Sequence, residues 1–215
     1  QRVIDQAYER DAASAAAEYG AQFRSDIESF IQREVLDAAT RSSPLELPYM
    51  KGRTYQAFID PAGGGGDEFT VSVGHRDNGV LILDCVRARK GTPAEIVGEY
   101  ARLLKSYNVR KATSDRYAGS WPADEFKRHG IRVEPSAKPK SDLYRDTLAA
   151  LNSGQVELPP DDRLTLQFQS LERRTSRSGR DNIDHPPSGS DDRANAVAGL
   201  VATSTRPVVT VAEML

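Results

Sequence analysis

Three separated carboxylates stand at the edges of predicted regular elements, and they are the side chains of this sequence best suited to chemistry. Asp60 ends an apolar strand-like run and is followed by a proline and a glycine-rich stretch. Asp115 follows a second such run, and Asp192, next to Asp191, opens an apolar helical run. Glycines allow a ligand to approach the backbone closely. Three carboxylates placed in this way are the donor set that two-metal phosphodiester chemistry requires.

Each of these carboxylates also has an ordinary interpretation. An aspartate before proline and glycine is common turn chemistry, and Asp191 at a helix start suits the helix dipole. Topology favours a shared site, because the carboxyl ends of parallel strands meet at one edge of a sheet. Asp60 and Asp115 are both predicted at such ends. Asp192 and Asn195 are three residues apart, so they share one face of the last helix.

Basic residues cluster in the polar stretch that precedes the last helix. Such a run is usually a solvated loop, but beside three carboxylates it is also typical of a hairpin that binds phosphates and offsets the negative charge of the site. We therefore predict phosphate contacts from the basic side chains of this region and of the segment upstream. These are Arg173, Arg174, Arg177, Arg180, Lys138 and Lys140.

Two further residues are candidates for supporting roles. Asp67 follows the glycine run and could support a metal site, although a solvated loop carboxylate is the simpler interpretation. His185 lies closer in sequence to the last carboxylates than His75 or His129, and its ordinary interpretation is a loop histidine without a role.

Length, charge and cysteine content exclude several classes of protein and of metal site. The 215 residues suffice for one domain with a real core, and 29 Lys and Arg against 31 Asp and Glu argue against a strongly basic binder without excluding nucleic acid. The single Cys85 excludes an internal disulfide and a cysteine zinc cage. No stretch has the length and apolarity of a membrane span or the pattern of a signal peptide, so we expect neither membrane association nor secretion. The first residue, Gln1, suggests a fragment or a processed product.

The order of predicted elements favours a mixed α/β sheet with helices on both faces, because a strand meander is followed by alternating strands and helices. A helical arm precedes the sheet, and an Asp-Asn-Gly hairpin turn is predicted at 77–79. The predicted elements are a helical region 1–42, strands 54–60, 68–75 and 79–88, a helix beginning at 92, strand 109–114, helix 121–129, strand 131–134, helix 141–153, a helix or strand at 162–173, and helix 191–203.

Three short segments, taken in order, resemble the C-terminal nuclease domain of the large terminase subunit of tailed bacteriophages. They are Phe-Ile-Asp-Pro-Ala-Gly-Gly at 58–64, Ser-Asp-Arg-Tyr-Ala-Gly at 114–119, and His-Pro-Pro-Ser-Gly-Ser-Asp-Asp-Arg-Ala-Asn-Ala at 185–196. Segment 7–27 is similar to the stretch that joins the terminase ATPase to its nuclease. The resemblance implies an RNase H-like fold and metal-dependent cleavage of double-stranded viral DNA during packaging. Together with the order of elements, it implies a helical arm or linker from an upstream ATPase domain at 1–50, the nuclease at 51–206 and a tail at 207–215.

The resemblance also assigns roles in the site. Asp60 is implied to bridge two Mg²⁺ or Mn²⁺ ions, with Asp115 and Asp192 completing their shells and Asp191 a less favoured ligand. Oxygen ligands favour such hard cations. The implied partners are double-stranded DNA, the ATPase domain of the same full-length chain, the small terminase subunit and the portal, in the host cytoplasm. The sequence departs from the family at Ser190, where a histidine is frequent, and at Asn195, where many related nucleases have an acid.

Three other interpretations remain. Holliday-junction resolvases and transposases share the carboxylate arrangement of RNase H-like enzymes, and the resemblance of segment 7–27 argues against them. A degenerate domain that serves only for docking is disfavoured by the intact acids at all three positions. An ATP-binding domain is disfavoured because the glycines at 63–66 lack the Gly-Lys-Ser/Thr ending of a phosphate-binding loop.

Overall fold

The computed structural model describes residues 27–61, 67–116, 121–175 and 181–204, together with Gln6 and Arg10. Within these ranges, a strand and a short helix precede an antiparallel meander of three strands, after which helices and strands mostly alternate. In chain order they are β1 (Ile27–Ser29), α1 (Arg33–Ala39), β2 (Tyr55–Asp60), β3 (Phe69–Asp77), β4 (Val80–Arg89), α2 (Pro93–Ser106), β5 (Lys111–Ser114), α3 (Trp121–Arg128), β6 (Arg132–Pro135), α4 (Lys140–Asn152), β7 (Val156–Glu157), α5 (Asp162–Ser170), β8 (Glu172–Thr175), β9 (Asp181–Asp184) and α6 (Asp192–Ser204).

The main sheet has six strands in the order β6-β5-β2-β3-β4-β7. Strands β2, β3 and β4 are antiparallel neighbours, whereas β5 is parallel to both β2 and β6, and β7 is parallel to β4. The turn between β3 and β4 has positive φ at Asn78 and Gly79, the geometry expected of the predicted hairpin. The mixed α/β sheet predicted from the sequence is thereby confirmed.

Apolar side chains cover both faces of the sheet, because residues along a strand alternate between its two sides. On one face Ala57 and Ile59 of β2 belong to a core with helices α2 and α3. On the other face Phe58 belongs to a core with α1, α4, α5 and α6. Asp60 is two residues from Phe58, so β2 directs its carboxylate to the side that α6 covers. None of the helices in the described ranges is long and apolar enough to cross a membrane.

The N-terminal region differs from the helix predicted over 1–42. Residues Ile27–Ser29 form β1, which pairs with β8 in a second, three-stranded antiparallel sheet, and the helix α1 begins only at Arg33. The apolar spacing that suggested a helix reflects burial instead, since Phe30 and Ile31 pack into the main core. The rest of the predicted arm, 1–5, 7–9 and 11–26, lies outside the described residues.

Segment 162–173, for which the sequence allows either a helix or a strand, contains both. Helix α5 ends at Ser170, and the chain then enters β8, which pairs with β9 as an antiparallel hairpin. Asp161 starts α5 by accepting hydrogen bonds from the backbone N–H groups of Arg163 and Leu164. The alternation of Leu164, Leu166 and Phe168 was therefore misleading, because Leu166 is on the exposed side of the helix.

Helix α6 lies unusually close to the sheet. A Cβ atom placed on Gly199 would lie 2.4 Å from three ring atoms of Phe58. The hydroxyl of Ser72 on β3 donates a 2.7 Å hydrogen bond to the backbone oxygen of Ala196, which ties the same helix to the sheet. Ten of its thirteen residues are buried, so its position is fixed by packing on nearly every side.

We predict that Gly199→Ala destabilises the protein by about 1–3 kcal/mol, the usual cost of inserting a methyl group into a full core. Thermal unfolding measures the effect as a drop of roughly 2–4 °C for each kcal/mol. Gly98→Ala on α2 is the matched control, because a Cβ there meets nothing closer than 3.8 Å. That control is expected to raise stability by up to about 1 kcal/mol, since alanine is the better helix former. Equal stability of the two variants would contradict the prediction.

Candidate active site

Asp60 and Asp115 meet at the carboxyl edge of the main sheet. Strands β2 and β5 are parallel neighbours with Ile59 opposite Ser114, so the two residues that follow this pair are also side by side. The backbone N–H of Asp115 donates to the oxygen of Ile59 at 3.1 Å, which continues the strand pairing by one residue. The sheet thus brings together two carboxylates that are far apart in sequence.

The amide of Asn195 on α6 joins these two carboxylates. Its Nδ2 donates to Asp60 Oδ2 and to Asp115 Oδ2, each at 3.0 Å. The residue is 4% exposed, and among the described residues its Oδ1 finds no hydrogen-bond donor although it is buried. A buried amide oxygen without a partner is costly. It therefore marks a position where a donor or a cation would be stabilising.

Asp192 lies on the same face of α6 as Asn195, one turn earlier. Its Oδ2 accepts hydrogen bonds from the backbone N–H of Glu68 and from the Ser190 hydroxyl, both at 3.1 Å. Burial raises the pKa of the Asp192 carboxyl. The negative charge of Asp192 is close enough to raise the pKa of Asp60. Two carboxylates therefore contact the Asn195 amide, and the third lies one turn away on the same helix face.

The electrostatics of the site indicate an excess of negative charge. Burial raises the pKa of Asp60 well above its ordinary value, and the hydrogen bond from Asn195 only partly offsets this. The charges of Asp115, Asp191 and Asp192 raise the Asp60 pKa further. A cation between these groups would favour their ionised forms, because an opposite charge nearby stabilises a carboxylate.

Asp191 points into a different cluster. Its Oδ2 accepts a 2.6 Å hydrogen bond from the Tyr144 hydroxyl and lies 2.7 Å from the Lys140 ammonium. Lys140 also contacts Asp184 at 2.7 Å. The ligand atoms of Asp184, His185 and Asp191 lie within 4.8 Å of one another, a spacing that suits a metal ion. Since the Lys140 ammonium already contacts both carboxylates, this group carries its own cation.

Three residues of this region were not predicted from the sequence as site residues. Gln167 on α5 is buried, and its Oε1 accepts from the backbone N–H groups of Arg193 and Ala194 at 2.8 and 3.1 Å. It thereby caps the N-terminus of α6. Ser190 and Tyr144 hold Asp192 and Asp191, respectively. No local pattern identifies such residues, because their partners come from other elements.

The predicted phosphate-binding residues have different surroundings. Arg173 is 3% exposed, with its guanidinium carbon 5.0 Å from the centre of the Phe30 ring, so it stabilises the hairpin core and does not face solvent. This burial disfavours the phosphate contact that the sequence predicts for Arg173. Arg174 is exposed and pairs with Glu172 on the same strand. Arg177 and Arg180 lie outside the described residues.

The remaining predicted residues lie around the site. Lys138 is exposed and pairs with Asp146, whereas Lys140 is partly buried in the Asp191 cluster. Asp67 is exposed, and its charge raises the pKa of Asp192. His185 is half-buried, with Nε2 3.7 Å from Asp191 Oδ1 and Nδ1 2.7 Å from the backbone oxygen of Pro186.

The fold is a mixed α/β sheet with helices on both faces, and the carboxylates lie where β2, β5 and α6 meet. Solved structures that share this fold include large terminases and their nuclease domains. The large terminase nuclease of thermophilic phage G20c has a TM-score of 0.65 at 19% identity, over 86% of this chain and 91% of that one. The large terminase nuclease domain of Thermus phage P74-26 has a TM-score of 0.64 at 20% identity, over 81% and 96%.

Longer terminases match in part. The large terminase of the HK97 bacteriophage has a TM-score of 0.65 at 14% identity, and the match covers 83% of this chain and 44% of that one. The G20c nuclease has also been solved with bound magnesium, with bound cobalt and with bound zinc. No protein-family model and no curated protein matches the sequence.

Proposed function

We propose that this chain is the nuclease part of a phage large terminase and that it cleaves double-stranded viral DNA during genome packaging in a divalent-metal-dependent reaction. The observation that carries the proposal is the convergence of the Asp60 and Asp115 carboxylates on the buried amide of Asn195, with Asp192 on the same helix face. The shared fold with large terminase nucleases supports the same interpretation.

The residues present fit a hard divalent cation. Asp60, Asp115 and Asp192 offer only carboxylate oxygens, and the unpartnered Oδ1 of Asn195 is a further oxygen ligand in the same place. Such donor sets suit Mg²⁺ and Mn²⁺. Binding of magnesium, cobalt and zinc by the G20c nuclease supports a divalent metal here as well. We propose that two ions would be held here by Asp60, Asp115 and Asp192, with Asp60 a ligand of both.

The protein holds the three carboxylates in position and supplies their negative charge. When bound, the metal ions lower the pKa of an attacking water and stabilise the charge of the leaving oxygen. Asn195 holds Asp60 and Asp115 at the right separation, and the Glu68 backbone with Ser190 holds Asp192. All the acids must be ionised to act as ligands, so metal binding depends on pH and releases any protons that the metal-free site holds.

DNA binding is assigned to the surface around the β8–β9 hairpin. Arg174 and Lys138 are exposed in this region, and Arg177 and Arg180 remain predicted contacts. Such residues contact phosphates and read no base edges, so we expect binding without sequence preference and with a strong salt dependence. Replacing Arg174 by alanine and measuring the salt slope of DNA affinity tests the first of these contacts.

The other partners follow from the terminase context. The chain spans less than half of the HK97 large terminase, which is consistent with an ATPase domain elsewhere in the same full-length protein. We propose an arm or linker at 1–50 that packs on the nuclease, the nuclease itself at 51–206 and a tail at 207–215, with the small terminase subunit and the portal as partners in the host cytoplasm. Co-purification of the full-length protein with a small terminase subunit and a portal tests this assignment.

Plasmid cleavage tests the function directly. The purified chain is expected to nick and linearise supercoiled plasmid with Mn²⁺ or Mg²⁺ and to be inactive in EDTA. A four-way DNA junction and a linear duplex of the same sequence, offered together, separate a terminase nuclease from a resolvase. Cleavage restricted to the junction would assign the chain to resolvases, and absence of metal-dependent cleavage on every substrate would make it a docking domain.

A further inference from the structure

The buried amide of Gln167 connects the N-terminus of α6 to the carboxylate of Asp192 through Ser190. Gln167 Nε2 donates to Ser190 Oγ at 3.0 Å, and Ser190 Oγ donates to Asp192 Oδ2 at 3.1 Å. The other end of the same amide accepts from the backbone N–H groups of Arg193 and Ala194. One side chain on α5 therefore contacts both the backbone and, indirectly, the carboxylate of the first turn of α6.

The direction of these hydrogen bonds is fixed by the backbone. Two N–H donors can be paired only by the amide oxygen of Gln167, so its NH₂ group must face Ser190. A hydroxyl has one proton, and Ser190 accepts from this amide, which leaves the proton for Asp192. The protons therefore point one way, from Gln167 through Ser190 to Asp192 Oδ2.

We propose that Gln167 and Ser190 are positioning residues that set the orientation of the Asp192 carboxylate for metal binding. This inference rests on the proposed function, in which Asp192 is a metal ligand. The hydrogen-bond relay from Gln167 through Ser190 ends at Asp192 Oδ2, and the Glu68 backbone N–H donates to the same atom. These two donors fix the position of Oδ2 and leave Oδ1 of Asp192 available to a metal ion. Residues that orient a ligand in this way typically contribute a factor of about 10–100 to metal affinity or activity.

The substitution Gln167→Glu separates positioning from capping. A glutamate at this position still accepts from the backbone of Arg193 and Ala194, and its charge suits a helix N-terminus. It cannot donate to Ser190, so the hydroxyl proton turns toward the new carboxylate and away from Asp192. The helix cap survives and only the orientation of the Asp192 carboxylate is lost. Gln169→Glu, two residues along the same helix, is the matched control for the added charge.

Calorimetric titration of the metal-free protein with Mn²⁺ is the decisive measurement. Gln167→Glu and Ser190→Ala are each expected to raise the Kd for Mn²⁺ about tenfold or more, and the double variant no further, because both break the same relay. The melting temperature of Gln167→Glu in EDTA should stay above that of Gln167→Ala, which loses the helix cap. In cleavage assays the half-saturating Mg²⁺ concentration should rise by a similar factor, with most of the rate recovered at saturating metal.

Two results would overturn the inference while leaving the proposed function intact. One is a Kd for Mn²⁺ in Gln167→Glu equal to that of Gln169→Glu, in a parent chain that binds metal and cleaves DNA. The other is a melting temperature of Gln167→Glu in EDTA as low as that of Gln167→Ala, which would reduce Gln167 to a structural cap. A parent chain that binds no Mn²⁺ would refute the proposed function, and the inference with it.

Discussion

Asp60→Asn is expected to abolish metal-dependent DNA cleavage and, at the same time, to make the metal-free protein more stable. Loss of a residue that only supports a metal ligand already costs about 10–100-fold. Asp60 is proposed to touch both ions, so its loss should lower the cleavage rate by more than about a hundredfold. Plasmid cleavage under single-turnover conditions measures this loss.

The stability gain follows from the raised pKa of Asp60. Burial disfavours the ionised carboxylate in the folded protein, whereas the unfolded chain ionises at the ordinary pKa. The parent therefore loses stability as pH rises from the unfolded pKa through the raised folded pKa, and it does not regain this stability at neutral pH. Asparagine cannot ionise, so the variant escapes this loss.

Thermal unfolding with and without metal provides the check. In EDTA at neutral pH, Asp60→Asn should melt above the parent, and added Mg²⁺ should raise the melting temperature of the parent but not of the variant. Asp124→Asn, the same change at an exposed carboxylate on α3, is the control and should alter neither property. Full cleavage activity in Asp60→Asn would refute the metal assignment.

The second large effect distinguishes two adjacent acids. Asp192→Ala is expected to lower the cleavage rate by more than about a hundredfold. Its melting temperature should change less than that of Asp191→Ala, because Asp192 is only partly buried and its removal relieves repulsion from the charges of Asp67 and Asp191. Asp191→Ala should instead destabilise the fold, since it removes the acceptor of the buried Tyr144 hydroxyl and one partner of Lys140. An unpaired buried donor costs about 1–3 kcal/mol.

The comparison needs both measurements on both variants. Melting in EDTA identifies the structural residue, and cleavage at saturating Mn²⁺ below the melting temperature identifies the ligand. Asp191→Asn adds a control, because its amide oxygen can still accept from Tyr144. If Asp191→Ala is stable and inactive while Asp192→Ala cleaves DNA, Asp191 is the third ligand and the proposed roles must be exchanged.

The sequence predicts the strand-borne part of the site well. Asp60 and Asp115 each follow an apolar run, and the rule that parallel strands gather functional groups at one edge brings them together without any knowledge of distant contacts. The spacing of Asp192 and Asn195 predicts their shared face in the same way. These features depend on local periodicity, which a sequence carries directly.

Residues whose role depends on pairing between distant elements could not be predicted. Arg173 looks like a solvent-exposed cation in the sequence, but β1 and the ring of Phe30 cover it. Gln167 is an ordinary helix residue until α5 lies against the start of α6. Asp191 stands at the start of its helix, yet the Gln167 side chain accepts from the first-turn N–H groups and the Asp191 side chain turns to Tyr144.

The pairing of β1 with β8 has a practical meaning for where the chain can be divided. A division at residue 50, which the resemblance suggests, would remove β1 and with it the strand that covers one side of β8. Backbone N–H and C=O groups of β8 would then form a bare edge, the kind of surface on which proteins aggregate. The cavity left by Phe30, Ile31 and Leu36 would open the core beneath it. A shortened protein intended for crystals or assays should therefore begin ahead of Ile27.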